Sequence, residues 1–228
     1  MAKNNSTHCS QQNIRLVIFD FDGTLGDTRQ NIVTTMQMTI AEMGLTSRTD
    51  NQCASTIGLP LTGCFKSLYP QADNTTILEC AETYRRIFKE NLLTIHPKTF
   101  PMVKETLQLL KDKGMLIAIA SSRSHESLVE LTKKLGIYEY ISCLIGADDV
   151  KEAKPQPEPV LKILSELKVK PTQTLVVGDM NEDIMMGKRA GTKTCGVSYG
   201  NGTIQELELA RADFIIDNIT QINIILQP

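Results

Sequence analysis

Short apolar runs alternate with longer amphipathic stretches from about residue 115 to the C-terminus. The short runs have the character of strands, and the longer stretches carry apolar positions at helical spacing. Alternation of this kind predicts a parallel sheet that is covered by helices on both faces. The predicted strands are 116–120, 142–145, 175–177, 194–197 and 214–216, and the predicted helices are 126–135, 160–167, 183–190, 204–210 and 219–226.

Residues 27–96 break this alternation, because they contain no convincing strand. Apolar positions between residues 32 and 43 follow helical spacing, and Gly44 is a suitable C-cap. Residues 75–91 also predict a helix, with one apolar stripe. The pattern therefore predicts an all-helical insert after the first strand.

The first strand, 16–19, is an apolar run that ends in Asp20-Phe21-Asp22-Gly23-Thr24. Side chains alternate along a strand, so Asp20 and Asp22 project to the same side. Two carboxylates this close repel each other unless a cation lies between them. The segment offers a nucleophilic carboxylate, a proton carrier and oxygen ligands for Mg²⁺. The alternative is a turn rich in aspartate.

Three later segments carry polar groups that suit the same chemistry. Ser121, Ser122 and Arg123 follow strand 116–120, and their hydroxyls and amides can hold phosphate oxygens. The alternative is an ordinary helix N-cap. Lys154 lies in a proline-rich loop that would hold it as a fixed cation, although it could be a solvated surface residue and Lys151 competes for the role.

The last of these segments joins Gly178 and Asp179 to the end of strand 175–177, with Asp183 four residues further on. Acidic residues near a helix N-terminus stabilise the helix dipole, which is a sufficient explanation for Asp183. The helix dipole does not explain well why Gly178 and Asp179 lie at the end of a strand. Asp179 is therefore a candidate metal ligand.

The order and chemistry of these four segments resemble the haloacid dehalogenase superfamily of phosphatases. The resemblance covers nearly the whole chain from Ile14 onward. It implies an α/β fold with a Rossmann-like parallel sheet core and an inserted all-helical cap domain. The implied parts are a polar tail (1–13), the core (14–26 and 97–228) and the cap (27–96), with hinge crossings at 26–28 and 97–101.

The resemblance also implies a role for each motif residue. Asp20 is expected to be the nucleophile, Asp22 the general acid and base, and Ser121 and Lys154 catalytic groups that hold the phosphate. Mg²⁺ is the implied cofactor, bound by the Asp20 and Asp179 carboxylates and the Asp22 carbonyl, with Asp183 orienting a water ligand. The implied substrate-binding residues are Phe21, Gly23, Thr24, Ser122 and Arg123.

Within the superfamily, the motifs most resemble small phosphatases of the phosphoglycolate phosphatase type. Asp22 argues against the dehalogenases, and Gly178-Asp179 differs from the Glu-Asp pair that is usual in β-phosphoglucomutase-like enzymes. The implied substrate is a small phosphorylated metabolite. A pyrophosphatase, a sugar-phosphate mutase and a non-catalytic binding protein on this fold stay open as alternatives.

Composition excludes some other classes of function. The formal net charge of −2 implies no bulk attraction to nucleic acid or to acidic membranes, and no apolar run approaches the length of a membrane span. The six cysteines form no C-x-x-C pair and no zinc-type cluster with histidine. They are best interpreted as reduced thiols of a cytoplasmic protein, which we expect to be a monomer or a weak homodimer.

Overall fold

Six parallel strands form the central sheet of this computed structural model, which describes residues 14–226. Two further short strands pair antiparallel with each other. The α/β fold with a parallel sheet is confirmed, whereas the predicted tail 1–13 lies outside the described residues. The strands are β1 (Leu16–Phe19), β2 (Gly26–Asp27), β3 (Lys98–Thr99), β4 (Leu116–Ala120), β5 (Cys143–Ile145), β6 (Thr174–Gly178), β7 (Lys193–Val197) and β8 (Phe214–Ile216).

The central strand β1 lies between β4 and β6, in the order β5-β4-β1-β6-β7-β8. Phe19 is in register with Ile119 of β4 and with Val177 of β6, so the three strands end at one level. The chain connections diverge on either side of β1, and ligands of open α/β sheets bind at such a point. The residues that come after these three strands therefore meet at one edge of the sheet.

Both faces of β1 are buried, which explains its uninterrupted apolar sequence. Val17 and Phe19 pack into one apolar cluster, and Leu16 and Ile18 pack into another on the opposite face. Within the described residues, no helix combines the length and the apolar character that crossing a bilayer requires. The helices are α1 (Arg29–Glu42), α2 (Asp50–Ala54), α3 (Leu61–Leu68), α4 (Asn74–Asn91), α5 (Val103–Asp112), α6 (His125–Lys134), α7 (Glu158–Leu167), α8 (Asn181–Arg189), α9 (Ile204–Leu209) and α10 (Ile222–Ile225).

Helices α1 to α4 occupy the predicted insert and pack against one another. The Asn91 amide donates a 3.0 Å hydrogen bond to the Thr35 hydroxyl, joining α4 to α1. Phe65 of α3 meets the edge of Tyr84, whose ring stacks on Phe88 within α4. The antiparallel pair β2–β3 holds the two predicted hinge crossings side by side. We refer to α1–α4 as the cap and to the sheet with its helices as the core; the exact domain limits remain a prediction.

The observed elements differ from the predicted ones in several places, and β3, α2 and α3 are among the additional elements. Helix α5 was not predicted, although Val103, Leu107 and Leu110 follow helical spacing and are buried. Strand β2 enters the region that was predicted to be free of strands. The predicted helix 219–226 is a 3₁₀ turn followed by the four residues of α10, with Asn218 accepting a hydrogen bond from the Thr220 amide at its start.

Replacement of Phe65 by alanine should destabilise the cap. Its ring is fully buried, so Phe65→Ala should lower the free energy of unfolding by about 3–5 kcal/mol through lost burial and an unfilled cavity. Leu78→Ala is the matched control, because Leu78 is 57% exposed on the neighbouring helix and should change stability by less than about 0.5 kcal/mol. Urea unfolding followed by circular dichroism measures both, and equal effects of the two variants would contradict the packing described here.

Candidate active site

Three buried carboxylates converge at the carboxyl edge of the sheet. Asp20 follows β1, Asp179 follows β6, and Asp183 lies in the first turn of α8. One ligand oxygen from each lies within 4.8 Å of the others. We call Asp20, Asp179 and Asp183 the acid triad; it unites the first motif with the last, which are more than 150 residues apart.

The ammonium group of Lys154 binds two members of the acid triad. Its Nζ donates hydrogen bonds to Asp20 Oδ1 at 2.5 Å and to Asp183 Oδ1 at 2.6 Å, and its side chain is buried. Lys151, its competitor in the sequence, is exposed. The loop is held near α7 because the amides of Lys151 and Glu152 donate to the Glu158 carboxylate.

The electrostatics of the acid triad reflect its burial. Burial raises the pKa of Asp20 well above its ordinary value, Lys154 opposes this shift, and the charges of Asp183 and Asp179 add to it. Burial, together with the charge of Asp183, raises the pKa of Asp179 to about 7. Burial disfavours the charged form of Lys154, but the carboxylates of Asp183 and Asp20 outweigh this and raise its pKa.

The acid triad fits a divalent cation in charge and in ligand type. With all three carboxylates ionised, the ammonium group would leave two negative charges in a buried space, which is costly without a compensating cation. Carboxylate oxygens are the ligands that Mg²⁺ prefers. The triad includes Asp183, which was predicted to lie just outside the ligands, alongside Asp20 and Asp179.

Backbone and side-chain donors hold Asp179 in place. The Thr24 hydroxyl donates to Asp179 Oδ1 at 3.0 Å, and the Asn201 amide donates to Oδ2 at 2.6 Å. A Cβ at Gly23, whose φ is +92°, would lie 2.2 Å from Asp179 Oδ2, and a Cβ at Gly200 would lie 2.3 Å from Asp179 Cβ. The chain therefore encloses this carboxylate from both sides with residues that lack a side chain.

Asn201 is the functional-site residue that sequence reasoning missed. Besides its contact with Asp179, its side-chain amide lies 3.4 Å from the Asp22 carbonyl oxygen, to which it donates. The signal in the sequence is a glycine on either side of Asn201, in the turn that follows β7. Thr24, which is predicted to bind substrate, contacts Asp179. It is not among the residues that line the cavity between cap and core described below.

The Asp22 carboxylate is not part of the acid triad and binds Arg123. The guanidinium donates through Nε to Oδ2 at 2.6 Å and through Nη2 to Oδ1 at 2.9 Å, which is a bidentate pair. The Thr28 hydroxyl donates to Oδ1 at 2.5 Å. Arg123 also lies over the ring of Phe88 in the cap, 4.8 Å from its centre. Arg123 thus joins the Asp22 carboxylate to the cap.

The other predicted substrate-binding residues have contacts of several kinds. Ser121 is buried beside the site, and its hydroxyl oxygen accepts a hydrogen bond from the Arg123 amide at 3.3 Å. The Ser122 hydroxyl donates to the Gly58 carbonyl of the cap at 2.5 Å. The Gly23 amide donates to the Gly26 carbonyl, and the Phe21 ring is fully buried beneath Arg123.

Two of the simpler interpretations can be compared with these contacts. The N-cap of α6 is Ser124, whose side chain accepts from the Ser127 amide, so Ser121 and Ser122 are not needed as caps. Asp183 does serve its helix, because its Oδ2 accepts from the Met180 amide at 3.0 Å. Its other oxygen binds Lys154, so the helix start and the acid triad share one side chain.

A cavity of about 500 Å³ opens between cap and core, and we call it the cap–core cavity. Asp20, Asp22 and the serines line its core side, while apolar residues of α1 and α4 and the loop around Gly58 line its cap side. A volume of this size suits a small molecule. The Asp20 and Asp22 residues therefore face a cavity that a small molecule could enter.

Comparison with known proteins agrees with this arrangement of motifs. A model of the haloacid dehalogenase-like hydrolases matches residues 17–197, which include all the motifs described above. The chain belongs to the haloacid dehalogenase-like hydrolase family.

Relatives of this haloacid dehalogenase-like hydrolase have names that differ in substrate. "Probable phosphatase IndB" of Dickeya dadantii is 33% identical over 91% of this chain and 91% of its own length. Pyrophosphatase PpaX of Anoxybacillus flavithermus is 33% identical over 94% of this chain and 97% of its own length. The crystal structure of a predicted phosphoglycolate phosphatase from Haemophilus somnus has a TM-score of 0.88 at 23% identity, covering 94% and 99% of the two chains, which shows the shared fold.

The raised pKa of Asp179 predicts a pH dependence of stability in metal-free protein. The folded state keeps a proton on Asp179 up to about pH 7, whereas the unfolded chain loses it near pH 3.8. The folded state binds more protons in this window, so the contribution of Asp179 to stability should fall as pH rises from about 4 to 7, by up to about 1.4 kcal/mol per pH unit.

Asp179→Asn isolates this contribution, because asparagine has a similar shape and does not titrate. In EDTA, urea unfolding at pH 5 and at pH 7 should show the variant gaining stability relative to the natural chain as pH rises. Added Mg²⁺ should raise the free energy of unfolding of the natural chain at pH 7, since a ligand that binds the folded state stabilises it. If the free energies of unfolding of the two proteins differ by the same amount at both pH values, the proposed titration of Asp179 is contradicted.

Proposed function

We propose that this protein is a Mg²⁺-dependent phosphatase that hydrolyses a small phosphomonoester through an aspartyl-phosphate on Asp20. The observation that carries the proposal is the buried Lys154 ammonium, which binds Asp20 where that carboxylate faces the cap–core cavity. Attack by a carboxylate requires its ionised form, and an adjacent cation favours that form. Phosphatase names among relatives support the same reaction.

In the first step, an Asp20 oxygen attacks phosphorus in line with the leaving group. A bond forms between the Asp20 oxygen and phosphorus, and the bond to the leaving oxygen breaks. Asp22 enters this step protonated and gives its proton to the leaving oxygen. Arg123 and Thr28 fix the direction of the Asp22 carboxylate. Ser121 lines the same cavity, and we expect its hydroxyl group to hold a phosphate oxygen.

In the second step, a water molecule attacks the phosphorus of the aspartyl-phosphate. Asp22 now takes the proton from that water, the acyl-phosphate bond breaks, and Asp20 is regenerated with release of inorganic phosphate. One residue thus acts as acid and then as base. The contact of Lys154 with Asp183 does not depend on Asp20, so it can hold the ammonium group beside the phosphate.

Asp20, Asp179 and the Asp22 carbonyl are the groups that would hold Mg²⁺, with Asp183 beside them. The ion, when bound, would neutralise charge that otherwise repels an anionic phosphate from the carboxylates. Thr24 and Asn201 hold Asp179 in position for this task. We expect the protein to act in the cytoplasm on a small metabolite, as the sequence predicts.

Pyrophosphate hydrolysis is the second candidate, because a relative of 33% identity is named pyrophosphatase PpaX. The same nucleophile and acid would serve, with phosphate as the leaving group. The two candidates differ in what the cap must accommodate next to Asp22. A substrate panel therefore separates them.

Loss of the nucleophile should abolish phosphate release. Asp20→Asn should reduce Mg²⁺-dependent release to background, whereas Asp22→Asn should slow it by about 100-fold or more because the acid and base are lost. With an aryl phosphate, whose leaving group needs no proton, Asp22→Asn should accumulate the phosphoenzyme. Acid quenching and mass spectrometry of the peptide that contains residue 20 detect this species. Turnover by Asp20→Asn, or a phosphate on another residue, would overturn the assignment.

The two neighbouring lysines provide a matched pair. Lys154→Met should lower kcat by about 100-fold or more, since it removes a fixed cation from the phosphate site. It should also destabilise metal-free protein by about 3–5 kcal/mol, because buried carboxylates lose their partner. Lys151→Met removes the same charge from an exposed position three residues earlier and should leave both quantities nearly unchanged. A loss of rate in Lys151→Met that equals the loss in Lys154→Met would contradict the role of Lys154.

A further inference from the structure

Much of the cap side of the cap–core cavity is lined by apolar side chains. Ile32 and Met36 come from α1, Ile57 from the segment after α2, and Tyr84 and Phe88 from α4. All five side chains are buried within the cap and present part of their surface to the cavity. A leaving group attached to a phosphate at Asp20 would extend toward these residues.

The loop after Ile57 adds an apolar side chain at the opening of the cavity. Leu59 is 37% exposed and lines the cavity together with Pro60. The loop is fixed to the core because the Ser122 hydroxyl donates to the Gly58 carbonyl. This hydrogen bond therefore holds Leu59 near the polar residues that follow β4.

The cations that line the cap–core cavity are poorly placed for a second anionic group. Arg123 is bound in bidentate fashion by Asp22, and Lys89 is bound by Glu126 at 3.0 Å. Arg85 lies on the exposed side of α4. A carboxylate or phosphate on the leaving group would have to compete with the ion pairs of Arg123 and Lys89, whereas Arg85 could bind it only from the exposed edge of the cavity.

Acidic side chains on the same rim strengthen this conclusion. Glu126 and Glu130 of α6 and Asp148 line the cavity near its opening. Like charges repel an anionic leaving group, whereas they have little effect on a neutral one. The cavity thus combines apolar contact area with a charge balance that opposes a second anion.

We propose that the natural leaving group is an uncharged and largely apolar alcohol, such as a branched-alkyl or arylalkyl alcohol, rather than a group with a second negative charge. This inference rests on the proposed phosphatase function and narrows its substrate class. It departs from the phosphoglycolate-like leaving group that the sequence resemblance implies. It also sets this chain apart from a pyrophosphatase.

Three esters of primary alcohols test the proposal with similar phosphorus–oxygen bonds. Their alcohol parts are 3-methylbutyl, ethyl and carboxymethyl, the last being phosphoglycolate; pyrophosphate completes the panel. An apolar pocket changes kcat/KM by about tenfold or more for each methylene that it binds. We expect kcat/KM to be highest for 3-methylbutyl phosphate, at least about tenfold lower for ethyl phosphate, and lower again for phosphoglycolate and pyrophosphate.

Leu59→Lys tests the wall of the cavity directly. It should lower kcat/KM for 3-methylbutyl phosphate by about tenfold and raise the value for phosphoglycolate, because it replaces apolar contact with a cation. Leu59 is partly exposed, so the variant should fold. Leu78→Lys is the control, since it makes the same replacement on the exposed side of α4, outside the cavity, and should change neither value.

Each outcome separates the inference from the function on which it rests. A natural chain that prefers phosphoglycolate or pyrophosphate would overturn the apolar leaving group and leave the phosphatase proposal standing. A tenfold loss of phosphoglycolate turnover in Arg85→Ala would identify Arg85 as the recognising cation and would also overturn it. If no ester releases phosphate in a Mg²⁺-dependent manner, the phosphatase proposal and the inference are both overturned.

Discussion

The ammonium group of Lys154 lies between two carboxylates that would repel each other without it. Asp20 ends the central strand, Asp183 begins α8, and Lys154 comes from the loop before α7. Bringing these charges out of water is costly, so each must be paired where it is buried. This one contact therefore fixes the relative positions of three chain segments, and the residual negative charge beside it provides the place for a cation.

Part of this arrangement could be predicted from the sequence, because it depends on short-range rules. The apolar runs before Asp20, Ser121 and Asp179 predict strands, and parallel strands place the residues after their carboxyl ends at one edge of the sheet. The sequence names Lys154 as a candidate but does not show that it is buried and Lys151 exposed. The two lysines are only three residues apart in one loop, and the path of that loop determines which side chain is buried. The sequence of α5 has helical periodicity, whereas the 3₁₀ turn before α10 depends on a local contact of Asn218.

Other parts of the site could not be predicted, because they depend on contacts between distant segments. Arg123 and Asp22 are separated by 101 residues, and nothing in either local sequence specifies a bidentate pair. Asn201 acquires its role only because the loop after β7 passes beside Asp179. The apolar lining of the cap–core cavity likewise comes from side chains whose helical periodicity predicts burial but does not distinguish the cap interior from a cavity wall.

The close approach of Gly23 and Gly200 to Asp179 has a consequence for how the protein can change over time. A side chain at either position would occupy the space of the Asp179 carboxylate. A substitution at either position would displace the Asp179 carboxylate, so we expect these two glycines to tolerate little change in sequence. The cap meets the cavity through apolar side chains that can be exchanged for others of similar volume. New substrate preferences are therefore expected to arise in the cap, while the chemistry at the sheet edge stays the same.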